Sequence, residues 1–221
     1  HVPFSPPYHF ISKVFQPALS QLGVSFSSTL TAWGWYPQGQ GEMVVTITPQ
    51  GKLRSADFVP AEKTNEVHGV AAVTNLPSHI PQRMAQRATK LLSDNRLVAD
   101  ITPIRERGAA PGAGIFLWTE LAGFSQLGRR GLAAEKVAKS AVADCLAFVE
   151  NRVAVGQYLA DQLLLPLALT RGRSSFTTNN LTSHTSTSAQ LLRKWLDVEI
   201  EISGIPGKTG HVTVEGIDFS L

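Results

Sequence analysis

The chain of 221 residues is poor in cysteine: Cys145 stands alone. A single thiol excludes an internal disulfide and a cysteine metal site, and it fits a reducing compartment. Long apolar runs are also missing, since no stretch approaches the roughly 20 residues of a membrane span. The opening residues lack the pattern of a secretory signal. There is no long Lys/Arg run. Net charge is +3 with histidines neutral, and the isoelectric point is about 9.2. That balance permits a polyanionic partner without demanding one. Charged residues make up 17% and apolar residues 43%, so the chain should bury real cores as one large or two modest domains. It also lacks an initial methionine and begins in a Pro-rich helix approach, so it reads as a chain entered in the middle.

What is present centres on Val155–Leu196. Tyr158, Asp161 and Gln162 fall at i, i+3 and i+4 on one helix face. Leu159, Leu163 and Leu167 take another face and can pack, while Pro166 removes a bond back to Gln162 and should kink the helix. A ring, a carboxylate and an amide on one side describe the wall of a polar site, or an ordinary solvated helix face. Downstream, His184 lies in a run of Ser and Thr, and Leu191, Leu192, Trp195 and Leu196 recur at helical spacing. Thr187 with Gln190 fits a capping box, which predicts a helix starting near Thr187. An imidazole beside a helix N-terminus sits where anions are favoured and imidazolium is not. A neutral ring there suits attack on phosphorus. The alternative is a capping-loop histidine with no chemistry.

Along the chain, the pattern predicts a helix over about Tyr8–Leu22 with Phe10, Val14, Leu19 and Leu22 inward, bent at Pro17 and stopped by Gly23. Strands follow at Val24–Trp33 and Glu42–Thr48, joined by a Gly-rich turn. The order repeats at the end: helix Thr187–Leu196, strand Val198–Ser203, turn Gly204–Gly210, strand His211–Glu215. Between them, strands are expected at Val67–Val73, Arg96–Ile104 and Gly114–Leu121, and helices at Ser78–Leu92 and Leu132–Glu150. The loop Arg105–Ala113 should be mobile. Arg105, Arg107, Arg129, Arg130, Arg171 and Arg173 fall in loop-like stretches that could touch phosphates, or serve only for solubility. The expected fold class is α/β (α+β), with repeated βαββ-type units carrying helices on one face of the sheet, plus a smaller inserted α/β domain.

Some signals are set aside. Gly204–Thr209 evokes a phosphate loop, but its spacing is wrong and a strand follows, so it reads as a β-turn. Asn180-Leu181-Thr182 matches a glycosylation sequon without a secretory context. His68, His79 and His211 show no metal-ligand spacing. Ser183 beside His184 is not a nucleophile–base pair, because adjacent side chains rarely converge.

Several motifs together resemble the RNA 3'-terminal phosphate cyclases. They are His1-Val2-Pro3-Phe4-Ser5-Pro6-Pro7, Gly34-Trp35-Tyr36-Pro37-Gln38-Gly39-Gln40-Gly41-Glu42, the block Tyr158–Leu169, then Phe176-Thr177 and His184-Thr185. The family usually has three glycines where Gly39-Gln40-Gly41 stands, and often Asn-Ile where Ser188-Ala189 stands. The resemblance implies ATP-dependent conversion of an RNA 3'-phosphate to a 2',3'-cyclic phosphate through a histidine–AMP intermediate on His184. It implies ATP and a divalent metal (Mg or Mn) as cofactors, with metal ligands not identified. It implies that Pro6 and Tyr158 sandwich adenine, that Phe10 lines the pocket, and that Asp161 and Gln162 lie near phosphates and ribose. The partner would be RNA with a 3'-phosphate end, with no membrane; the location would be cytoplasmic, or nuclear in a eukaryote. The chain would be the family's C-terminal portion. Residues 1–50 and 153–221 would form the core domain and 51–152 an inserted domain. The alternative is a non-catalytic scaffold in ribosome biogenesis, a class that lacks the nucleophilic histidine.

Overall fold

The computed structural model describes residues 1–48, 51–61 and 65–219. The boundary expected at residue 50 and the last two residues of the third segment lie outside the described residues.

The chain opens with α1 (Tyr8–Phe10), a π-helical segment (Ile11–Phe15) and α2 (Gln16–Gln21). The predicted helix is therefore continuous, but its middle turn is wider. The π segment ends just before Pro17, which brings no N–H to the ladder. Phe10, Val14, Leu19 and Leu22 are buried as expected, and Gly23 ends the helix at φ +86°. Next come β1 (Ser25–Ala32) and β2 (Glu42–Thr48), antiparallel partners in a two-stranded sheet of their own. In β1, Phe26, Ser28, Leu30 and Ala32 are half-buried between exposed neighbours, the alternation the sequence predicts. The Tyr8 hydroxyl donates to the Ser28 carbonyl at 2.9 Å and ties the first helix to this strand.

The middle of the chain builds a four-stranded sheet in the order β5-β4-β6-β7. Its strands are β4 (Glu66–Thr74), β5 (Val98–Glu106), β6 (Gly112–Trp118) and β7 (Gly123–Leu127). Only β4 and β5 run parallel, as their crossover through α3 (His79–Asp94) requires. Helix α4 (Ala134–Asn151) lies beside α3 over the same sheet. Their shared core includes Val67, Met84, Ala88, Leu92, Ile115, Leu117 and Cys145. Cys145 is wholly buried, which pushes its thiol up to about 12. Two expectations are corrected here. Arg105 and Ala113 belong to strands, so the loop between them is short, and β7 is an additional strand. The other side of the sheet holds a small aromatic cluster, Trp35 and Phe116 with Trp33 and Leu127 packed against it.

The last sheet has the order β3-β8-β10-β9. It contains β3 (Asp57–Phe58), β8 (Arg171–Thr178), β9 (Glu199–Gly204) and β10 (Gly210–Ile217). Arg171 and Arg173 are thus strand residues, not loop residues. Helices α5 (Gln157–Ala168) and α6 (Ser183–Trp195) pack on each other and on this sheet. The run β8–α6–β9–β10 is one βαββ unit. The turn at Ile205–Lys208 is a β-turn, closed by Lys208 N–H to Ile205 O at 3.0 Å with Gly207 at φ +80°. The core joins Phe10, Val14 and Leu22 to Leu159, Leu163, Leu167, Phe176 and Val212. The fold is mixed α/β of the α+β kind.

Candidate active site

Helix α5 sorts its residues as the leucine spacing predicts. Leu159, Leu163 and Leu167 are fully buried, while Tyr158 is 55% exposed and Asp161 and Gln162 are half-buried. Pro166 lies in the last turn of α5 and leaves the Gln162 carbonyl without its N–H, yet the helix runs on to Ala168. The start of α5 is fastened by neighbours. The Gln157 N–H donates to Asn179 Oδ1 at 2.9 Å, and Asn180 Nδ2 donates to Gln157 Oε1 at 2.6 Å. Val155 N–H donates to Thr177 O at 2.9 Å. These bonds clamp the β8–α6 loop to the first turn of α5. Tyr158 and His184 are held relative to each other by that clamp.

Helix α6 starts earlier than the capping-box pattern indicates. Its N-cap is Thr182, whose Oγ1 accepts from the Thr185 N–H at 3.2 Å. Ser186 N–H then donates to Thr182 O at 3.2 Å. Thr187 is an interior residue of the helix. The Thr-rich run offers several residues able to cap, and tertiary packing selects the first, because Thr185 and Ala189 are the residues that can be buried. His184 is therefore the second residue of α6 and exposed. The N–H groups of Ser183 and His184 belong to the turn that has no intrahelical acceptors, so the ring sits beside donors suited to phosphate oxygens.

A cavity of about 620 Å³ brings Pro6, Phe10, Tyr158, Asp161, Gln162 and His184 onto one lining, with Thr182 beside them. Pro6 is exposed and Phe10 is buried behind Gly123, whose side is open enough only for hydrogen: a Cβ there would fall 2.9 Å from the Phe10 ring. The Asp161 carboxyl is pushed above its ordinary value by burial, against the opposing pull of its own backbone hydrogen bond and of His184. Burial also pushes the Tyr158 hydroxyl up, with Asp144 adding to it. The cavity continues to residues that the sequence pattern does not nominate: His9, Phe116, Trp118 and the strand Gly123–Leu127. No period-two signal marks β7, since Phe124 and Leu127 are three residues apart and pack into different clusters. Phe4 also lines the cavity, fully exposed at φ +62°, a backbone region that a bulky side chain rarely adopts.

Among the described residues no three His, Cys, Asp or Glu side chains gather to hold a metal. Asp161 is the carboxylate on the cavity lining. No helix of the described residues is long and apolar enough to cross a membrane.

Residues 1–202 match the family description RNA 3'-terminal phosphate cyclase. Relatives bearing that description include one from Gloeothece citriformis, 41% identical over 219 residues, covering 96% of this chain and 63% of the relative. One from Methylococcus capsulatus is 38% identical over 223 residues, covering 98% and 61%. One from Pyrobaculum neutrophilum is 30% identical over 224 residues, covering 99% and 64%. The chain thus spans somewhat under two thirds of the length of the curated relatives it matches. On the strength of a match over most of its length, with the motif residues gathered at one cavity, the chain belongs to the RNA 3'-terminal phosphate cyclase family.

Proposed function

We propose that this chain carries the nucleotidyl-transfer site of an ATP-dependent ligase that converts an RNA 3'-phosphate to a 2',3'-cyclic phosphate. The observation that carries the reading is the shared cavity: His184 in the first turn of α6, with Tyr158, Pro6 and Phe10 on the same lining. Tyr158 offers an exposed aromatic face to adenine. The free N–H groups at the start of α6 suit the α-phosphate. A ring nitrogen of His184 attacks the α-phosphorus of ATP, the P–N bond forms and pyrophosphate leaves. An oxygen of the RNA 3'-phosphate then displaces the imidazole, giving an anhydride between the RNA phosphate and AMP. The neighbouring 2'-hydroxyl attacks the RNA phosphorus, loses its proton and releases AMP. Asp161 and Gln162 lie near the ribose and phosphates. A divalent ion would compensate the charge of the triphosphate; such ions need only one or two carboxylates besides phosphate and water, and Asp161 would supply one.

The domain reading rests on the separate cores. Residues 1–50 and 153–221 are read as the catalytic domain and 51–152 as the insert, whose early strand β3 pairs with β8 of the catalytic domain.

Incubation of the whole protein with labelled ATP and magnesium should leave acid-labile, alkali-stable AMP on it. His184→Ala should abolish that label while ATP still binds. Tyr158→Ala should keep the chemistry but weaken ATP binding by roughly 1–3 kcal/mol, the value of base–aromatic stacking. Full label on His184→Ala would remove His184 as nucleophile. No label on the parent protein, with RNA binding intact, would favour the scaffold reading.

A further inference from the structure

The cavity around His184 extends along one strand. All five residues of β7, Gly123–Leu127, line it, and the two-residue period of the strand places the Gly123, Ser125 and Leu127 side chains on one face. Phe124, between them, packs the other way beside Phe148. The four steps from Gly123 to Leu127 cover roughly 14 Å. β7 is an edge strand, so the backbone groups on its outer side have no strand partner among the described residues.

Just past this edge lie Gly128, Arg129, Arg130 and Gly131. The Gly128 N–H donates to Ala113 O at 2.8 Å, pinning the loop to the sheet, and both arginines are exposed. The same end of the sheet carries two more. Ala113 pairs with Val73, and Val73 pairs with Arg105. Three strand spacings make the row from Gly128 to Arg105 roughly 14 Å long. Arg105 and Arg107 line a second cavity of about 510 Å³ with Asn75 and Glu106. Arg105 Nε donates to Leu76 O at 2.8 Å, which fixes the guanidinium while using one of its five donors. Arg83 differs, since Glu135 engages it at 2.7 and 2.9 Å.

We propose that this end of the inserted sheet holds the single-stranded RNA behind its 3' terminus. The terminal phosphate sits at His184, the strand runs along β7, and the phosphates further from the 3' end meet Arg129 and Arg130, then Arg105 and Arg107. This rests on the reading that an RNA 3'-phosphate is the substrate. A 3' end bound at His184 forces the rest of the strand to leave the cavity, and β7 leads from there to exposed arginines. Guanidinium groups suit phosphate oxygens and carry no sequence preference of their own.

The test is direct binding of fluorescein-labelled RNA bearing a 3'-phosphate, three or fifteen nucleotides long, to the whole protein. Arg129→Ala/Arg130→Ala should bind the fifteen-nucleotide RNA about tenfold more weakly at low salt. The slope of log affinity against log salt should flatten by about 1.4, since each phosphate neutralised on a single strand contributes roughly 0.7. Its affinity for the three-nucleotide RNA and its AMP labelling should stay at parent levels. Arg129→Lys/Arg130→Lys should recover the salt slope. Lys90→Ala/Arg96→Ala removes equal charge from the opposite end of the sheet and should bind like the parent. Unchanged binding of the long RNA by Arg129→Ala/Arg130→Ala overturns the track, as does an equal loss in the Lys90/Arg96 variant. If the track fails while AMP labelling persists, the catalytic reading stands. If labelling is absent while the length-dependent loss is seen, the histidine–AMP chemistry falls while binding of 3'-phosphate RNA along the track stands.

Discussion

His9 is, by sequence, only one residue of a helix, and the structure gives it a distinct burden. Its ring stacks on Phe116 with centroids 4.8 Å apart and planes 19° apart. It is 7% exposed. Burial, helped by the charge of Lys13, lowers its ionisation from 6.5 to about 4. A depressed value in the folded state means that the fold prefers the neutral ring. Stability is then full above about pH 6.5 and is lost as pH falls from there through 4. At about 1.4 kcal/mol per unit, the loss is on the order of 3 kcal/mol. Urea midpoints at about pH 7 and about pH 4.5, on either side of most of that range, check this. His9→Phe should unfold at a midpoint that changes less between the two than that of the parent. An identical acid shift in both proteins would show that His9 is not the group responsible.

At the scale of the element, the start of α6 decides how His184 is presented. Both Thr182 and Thr187 can cap a helix by composition. The structure uses Thr182, with its hydroxyl on the Thr185 N–H. Thr182→Ala should therefore cost about 1 kcal/mol in thermal or urea unfolding, and should slow AMP labelling because His184 lies in the turn it caps. Thr187→Ala lies inside the helix and should change stability by less than about 0.5 kcal/mol. The reverse order would restore the later helix start. The first helix behaves in a related way. Pro17 signals an interruption, but sequence does not say whether the chain bends, breaks or widens. Here the turn before it widens to π geometry, and the helix continues through Pro17 with Phe10 and Val14 both in the core.

At the scale of the molecule, an aromatic cluster ties the β1–β2 segment to the inserted sheet. Trp33, Trp35 and Phe116 link the segment before β2 to the sheet that contains β6, with the Trp33 and Trp35 rings 5.6 Å apart. Gly112 permits this approach, since a Cβ on it would fall on the Trp35 ring. Gly112→Ala should cost about 1–3 kcal/mol, as overpacked sites do. Its tryptophan emission should shift to longer wavelength as Trp35 is displaced from a buried site. Unchanged stability and emission would mean that the indole can move aside freely.

The sequence by itself determined the elements that have a clear period. Leu159, Leu163 and Leu167 against Tyr158, Asp161 and Gln162 divide α5 into a core face and a cavity face, because helical periodicity is local and needs no knowledge of the partner. The alternation of Phe26, Ser28 and Leu30 did the same for β1. The family motifs nominated the cavity residues. Only the tertiary structure decided what depends on distant partners. Strand β7 exists because β6 offers it a ladder, with Phe116 opposite Ser125 and Ile115 opposite Gln126. The start of α6 depends on which threonine face can be buried, and β3 is a strand because β8 lies beside it. The neighbourhood of Arg129 and Arg105 follows from register across the inserted sheet, a relation between residues well separated along the chain that no local pattern encodes. Hydrogen-bond pairing and burial are satisfied between segments, so their outcome is fixed only when the segments meet.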